Sequence, residues 1–265
     1  MAPGLLLDSK VGEHGTHVQE LSKSEDIILT VNDADQQEEK DPSCQNGHPI
    51  VSLTLSPNDY PSAESNLLLS SPYTESDHLL DLRTLNTSCG LFARALAILH
   101  PIRSDYAVAD YVDSFNWESV MTRLRTLVAN ESHQWEQQSF YTVIFRSKLK
   151  VNTDHTLIYR LDKESHREAT VSGGLLKYWF GSPDGERRNL ATCKLLCWCL
   201  FSYARPVDCE RQGLWRNRED ARLGGLGPWH RKARLAAGEF YERIDFTTWQ
   251  LIVEDGVSGW KLQKA

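Results

Sequence analysis

The sequence has little of what would place it in the common functional classes. No basic segment followed by an apolar stretch stands at the N-terminus, so a secreted protein built on disulfides is not expected. The longest largely apolar run, Leu195 to Ala204, is about half of the roughly 20 residues a spanning helix needs, which argues against a membrane protein. There is no G-x-S-x-G elbow, no P-loop and no H-E-x-x-H pair. Gly225-Leu226-Gly227 begins a G-x-G-x-x-G, but Pro228, Trp229 and His230 leave it incomplete, so it reads as a break in a helix. Aromatic residues are missing before Tyr60 and arginine before Arg83. That deficit marks a segment unable to build a core of its own.

What is present is uneven. The 265 residues are 40% hydrophobic and 25% charged, enough for one core. The net charge of −7 divides sharply: residues 1–78 carry 3 Lys and 14 acidic residues, a net of −11, and residues 79–265 carry +4. A surplus of +4 is too dilute for a nucleic-acid-binding surface. Composition therefore gives a disordered acidic leader at 1–78, with Ser-Pro pairs at Ser56-Pro57 and Ser71-Pro72, and places the protein in the cytoplasm or nucleus. The cysteines are the second unevenness, four of the six being Cys193, Cys197, Cys199 and Cys209. Their spacing fits no zinc site, and neither a metal nor a cofactor is expected.

Periodicity then gives the elements. Ser88 can cap a helix carrying Leu91, Phe92, Ala95, Leu96 and Leu99 on one face, stopped by Pro101, and a second helix starts after Ser114 or Asn116 with Val120, Leu124 and Leu127 inside. Together they form a helical arm at 79–135. Phe140 to Leu149 alternates as a strand with one drier side, Tyr141, Val143, Phe145 and Leu149, and one wetter side, Thr142, Arg146 and Lys148. Thr153 caps a helix with Leu157, Ile158, Leu161, Ser165 and Ala169 inside, closed by Gly173-Gly174. Strands at Leu175 to Phe180 and from Asn189 follow, then a helix from Asn217 interrupted at Gly224 to Pro228, and a strand from Thr247 to Glu254. The order βαββαβ at 139–260 predicts an α+β, ferredoxin-like domain.

Several residues are candidates for chemistry. His166 falls at the edge of its helix's apolar stripe, where it can serve as a general acid or base or as a hydrogen-bonded structural histidine. His230, just past the helix break, has the same two readings. Lys177 among apolar strand neighbours needs a carboxylate or an anionic ligand if buried, and otherwise snorkels to solvent. Tyr178, Trp179, Trp215 and Tyr241 can line an aromatic pocket or fill the core. Glu168 and Glu219 are available as partners for these bases.

Ser165-His166-Arg167-Glu168-Ala169, Gly173-Gly174-Leu175-Leu176-Lys177-Tyr178-Trp179-Phe180-Gly181, Asn189-Leu190-Ala191-Thr192-Cys193 and Trp215-Arg216-Asn217-Arg218-Glu219-Asp220-Ala221 resemble an uncharacterised fungal protein family over most of residues 79–260. A looser similarity links Trp215, Glu219, Ala221, His230 and Ala233 to the dimeric α+β barrels of the antibiotic-biosynthesis-monooxygenase-like superfamily. That similarity implies a homodimer and a small-molecule ligand. It also implies a cofactor-independent oxygenase, isomerase or cyclase acting on an aromatic or polyketide-like compound, as in secondary metabolism, with His166, His230 and Lys177 catalytic. The alternative is a non-catalytic ligand-binding or scaffold protein on the same fold.

The chain departs from the resembled pattern once: Lys194 to Gly213 separates Cys193 from Leu214-Trp215, where the pattern runs nearly straight through. Cys193-Lys194-Leu195 can be encoded with a GTAAGT splice donor and Gln212-Gly213 with an AG acceptor in the matching phase. Residues 194–213 are therefore expected to be a translated intron, the rival being a loop peculiar to this protein.

Overall fold

The computed structural model describes residues 66–192 and 213–265. The acidic stretch up to residue 65 and the 194–212 part of the inserted segment lie outside the described residues. Residues 66–78, which composition assigns to the leader, are packed. β1 (Leu67–Leu68) pairs antiparallel with β2 (Leu80–Asp81), and a 3-10 turn at Ser76–His78 lies between them. Leu68, Tyr73 and His78 are buried.

α1 (Thr87–Leu96) is capped by Asn86, whose side chain accepts from the Cys89 N–H, rather than by Ser88. Its Leu91, Phe92, Ala95 and Leu96 are buried, as the period requires. The short α2 (Tyr111–Ser114) leads into α3 (Trp117–Asn130), which buries Val120, Met121, Leu124 and Leu127. The long strand is β3 (Gln138–Leu149). α4 (His155–Ser172) is capped by the Asp154 side chain on the Leu157 N–H; the Thr153 hydroxyl is turned instead to the carbonyls of Lys150 and Phe240. Its buried face runs through Ile158, Leu161, Asp162, Ser165, His166 and Ala169, leaving Leu157 exposed. His166 thus sits inside the stripe and not at its edge. Gly173 and Gly174 end the helix at φ near +80°, and a Cβ on Gly174 would lie 2.4 Å from an Asp220 oxygen, which restricts the position to glycine.

The remaining elements are β4 (Leu175–Lys177), β5 (Trp179–Phe180), β6 (Arg188–Thr192), β7 (Leu214–Trp215), α5 (Arg218–Gly224), α6 (Pro228–Phe240), β8 (Tyr241–Val253) and β9 (Trp260–Lys264). β8 starts directly at the end of α6, six residues before the expected Thr247, and β9 is an edge strand that periodicity did not reveal. β3 pairs with β8 along its whole length on one edge; β6 and β7 share the other edge, flanked in turn by β5 and β4. β9 lies outside β8, and every pairing is antiparallel.

β3 is dry on both sides, not one. Tyr141, Val143, Phe145 and Leu149 face the α4 and α6 layer, as expected. Phe140 and Ile144 meet Leu91, Phe92, Leu96, Met121 and Leu124 of α1 and α3, and Thr142 is fully buried between them. Arg146 on that same face donates to the carbonyls of Tyr106, Ala107 and Ala109, fixing the connector before α2 over the far end of the strand. The hydrophobic alternation showed one face because the covering helices bring the apolar surface for the other. Phe92, wholly buried and stacked at 4.2 Å on Phe140, is where this contact is tightest. Phe92→Ala is expected to destabilise the fold by about 3–5 kcal/mol, read as a lower urea midpoint; a loss below about 1 kcal/mol would show that the helices are not part of the core.

Candidate functional site

A cluster of buried polar groups forms where three chain segments meet. α4 supplies Asp162 and His166, one turn apart on its inner face. The strand region after β4 supplies Tyr178, and the segment ahead of β2 supplies Tyr73 and His78. All five are at most 4% exposed. One oxygen of Asp162 accepts from both phenols, Tyr73 at 2.6 Å and Tyr178 at 2.5 Å. The Nδ1 atoms of His78 and His166 are 2.8 Å apart. The His166 ring lies edge-on to Tyr178, centroids 4.8 Å apart, and 5.1 Å from Tyr73.

A 2.8 Å contact between two Nδ1 atoms requires one to donate and the other to accept. Of the two arrangements, the one that turns the His78 Nε2 proton toward the Asp77 carboxylate, 3.9 Å away and beyond hydrogen-bond range, leaves His78 Nδ1 as the acceptor. His166 then donates from Nδ1, and its Nε2, buried and with no hydrogen-bond partner among the described residues, carries a lone pair. Burial, reinforced by His78 and His230 nearby, holds the His166 imidazole at about 3, so it is neutral at physiological pH. Burial lowers His78 as well, against the pull of Asp77 and Glu75. Outside the cluster, ion pairs of Lys163 with Glu75 and of Arg167 with Glu164 and Asp77 lie at the surface.

The residues expected from sequence divide. His166 and Tyr178 are in the cluster, and Trp215 packs in the same apolar layer as Tyr73, Tyr178 and Val143, its ring against Gly224, where a Cβ would lie 2.2 Å from the indole. His230 is tied elsewhere: Glu168 accepts from its ring at 2.9 Å and from the N–H groups of Trp229 and His230, closing the otherwise uncapped start of α6. Burial pushes the Glu168 carboxyl up, but these three hydrogen bonds outweigh it and hold the group below its usual range. Gly227 follows from this, since a Cβ there would sit 2.2 Å from the Glu168 carboxylate. Glu219, the other expected partner, pairs with Arg222.

Lys177 is buried, and burial pulls its amine down to about 8. Its cross-strand neighbour is Leu214, which belongs to the layer under α1 and α3, so Lys177 lies on the face away from His166. Trp179 is on that face too, edge-on to Tyr106 and Phe115. Tyr241 packs with Phe145 and Phe240 in the layer under α6.

Tyr73, His78 and Asp162 were not anticipated. Tyr73 and His78 fall within the compositional leader, and Asp162 reads as an ordinary helix acid. The available signal was the Asp162 to His166 spacing on a face that otherwise carries Ile158, Leu161 and Ala169. Among the described residues no group of three or more His, Cys, Asp or Glu is placed to hold a metal ion.

Comparison with known proteins gives a consistent result. The family model described as PB2B2.08-like matches residues 69–205 and 209–264, leaving out only 206–208 between them. The chain is 33% identical over 226 residues to the UPF0643 protein PB2B2.08 of Schizosaccharomyces pombe, covering 80% of this chain and 91% of that one. No solved structure matches.

The neutral His166 makes stability depend on pH. Between about pH 6.5 and 3 the unfolded chain binds a proton at this residue that the folded chain refuses, so stability present at neutral pH is lost on acidification at about 1.4 kcal/mol per pH unit. His78 acts in the same direction. His166→Asn is expected to flatten the fall in urea midpoint between pH 6.5 and 4.5; an unchanged slope would show that His166 is not held neutral.

Proposed function

We propose, for a chain that belongs to the PB2B2.08-like family, that the Tyr73, His78, Asp162, His166 and Tyr178 cluster is the reaction centre of a small-molecule enzyme. The reaction is proton transfer on an aromatic or polyketide-like compound, the step with which a cofactor-independent oxygenase, isomerase or cyclase begins. The observation that carries this reading is His166 Nε2, a buried nitrogen with no hydrogen-bond partner among the described residues, on a ring otherwise fixed by its neighbours. Leaving such an atom without a partner costs about 1–3 kcal/mol, and unlike the unpartnered indole nitrogens of the core it belongs to a group able to take a proton. A proton accepted there would gain a counter-charge in the substrate anion just formed. Asp162 accepts the protons of both phenols in hydrogen bonds and holds them in fixed positions, which leaves the phenol oxygens as acceptors that can orient a substrate hydroxyl. Ligand entry requires the segment carrying Tyr73 and His78 to move aside, because it covers the other three groups.

The fold supports the same class. With β4 and β5 read as one strand and β6 and β7 as another, the antiparallel order β8, β3, β6, β5 supports our reading of the sheet as a ferredoxin-like βαββαβ arrangement. In the dimeric barrels this sheet turns its open face to a second copy. Here α1, α3 and the connector held by Arg146 cover that face, and we read them as standing in for the second sheet. No helix among the described residues is long and apolar enough to cross a membrane.

A second reading, a polar lock that fastens the segment before β2 onto α4, is favoured by the way the five side chains bond to one another. His166→Asn and Tyr178→Phe separate the two. In a strain lacking the gene, the wild-type chain is expected to restore the metabolite profile and either variant to fail while accumulating as folded protein. Full restoration by both would overturn the enzyme reading in favour of the lock. Light scattering should give a mass near the 30.2 kDa of one chain; twice that value would return the sheet face or another surface to a partner copy.

A further inference from the structure

The two strands that share an edge of β3 keep a single register. Ala191 lies opposite Phe145 and Leu190 opposite Arg146. Continued without interruption, that register would set residue 193 against Val143, 194 against Thr142 and 195 against Tyr141. The positions are filled by Gly213, whose carbonyl accepts from the Val143 N–H, and by Leu214 and Trp215. Each is twenty places further along the chain. On the outer flank Trp179 pairs with Thr192 and Phe180 with Ala191, so Lys177 is due to meet residue 194, and it meets Leu214, again twenty further on; past a bulge at Leu175–Lys177 the register shifts by one and Leu175 meets Trp215.

We infer that β6 and β7 are the two halves of one strand, into which residues 194–213 are inserted, and that the chain without those twenty residues keeps the same sheet. Three features fit. β8 occupies the other edge of β3 throughout, so β6 and β7 have no alternative but to lie end to end. Side-chain direction alternates unbroken across the join: Leu190 and Leu214 lie under α1 and α3, Ala191 and Trp215 under the α4 layer. Gly213 stands at φ +145°, a backbone that side chains rarely adopt, and a Cβ there would press on Trp215 and Leu175; the irregularity sits at the join. Removing residues 194–213 puts Cys193 at that position, in an ordinary strand. The same boundary follows from the splice signals that the codons of Cys193 and Gly213 can contain, an argument that uses no structure.

Because a one-residue slip turns every following side chain to the opposite face, the length of the deletion is the test. Chains lacking 194–213, 194–212 or 193–213 differ by one residue each. The twenty-residue deletion is expected to keep the far-ultraviolet spectrum and at least the urea midpoint of the full chain. The nineteen- and twenty-one-residue deletions should lose cooperative unfolding, since Leu214 and Trp215 are then turned out of their layers. A twenty-residue deletion that fails to fold, or three deletions of equal stability, would overturn the inference.

Discussion

The whole structure depends on the burial of β3 on both faces and both edges. A strand in that position has every backbone group paired and offers its neighbours two dry surfaces, but only if the chain can cover both. This chain does so with two unrelated layers. α4 and α6, which follow β3 in sequence, cover one side. α1 and α3, which precede the sheet in sequence, cover the other. Arg146 shows how far the second cover extends: a strand arginine that alternation would send to water is half-buried and donates to three backbone carbonyls.

Once both faces are covered, the polar groups left inside have to satisfy one another, and this shapes the candidate site. Asp162 needs hydrogen-bond partners in such surroundings, and two phenols from different segments provide them. His166 answers the same demand by staying neutral. The segment before β2 is thereby joined to the domain through Tyr73 and His78, by contacts that are polar and aromatic more than aliphatic. Glu168 and His230 repeat the pattern at a smaller scale, closing a helix start that has no cap of its own.

Much of the fold was legible in the residues themselves. The alternation of Tyr141, Val143 and Phe145, the stripe from Ile158 to Ala169 and the Gly173-Gly174 stop identify a strand, a helix and its end, because these patterns are local. Local rules also misplaced details. Asn86 and Asp154 outcompeted Ser88 and Thr153 as caps because several side chains near a helix start can accept, and geometry selects one. β9 escaped because an edge strand needs only one dry neighbour and carries exposed lysines. Of the candidate site, His166 and Tyr178 were visible as residue types in an apolar setting, whereas Tyr73 and His78 were hidden in an acidic, aromatic-poor stretch.

The sequence by itself determined the mixed α and β class of the domain and the order of its main elements from α1 to β8, since hydrophobic period is a property of the chain alone. Tertiary structure decided which residues meet. It placed Lys177 and His166 on opposite faces of one sheet and Glu168 under His230. It also brought Tyr73 to Asp162, 89 positions away. Such pairings depend on the sheet order and on which layer covers which face, and these are set by the joint burial of distant segments, which no local pattern encodes.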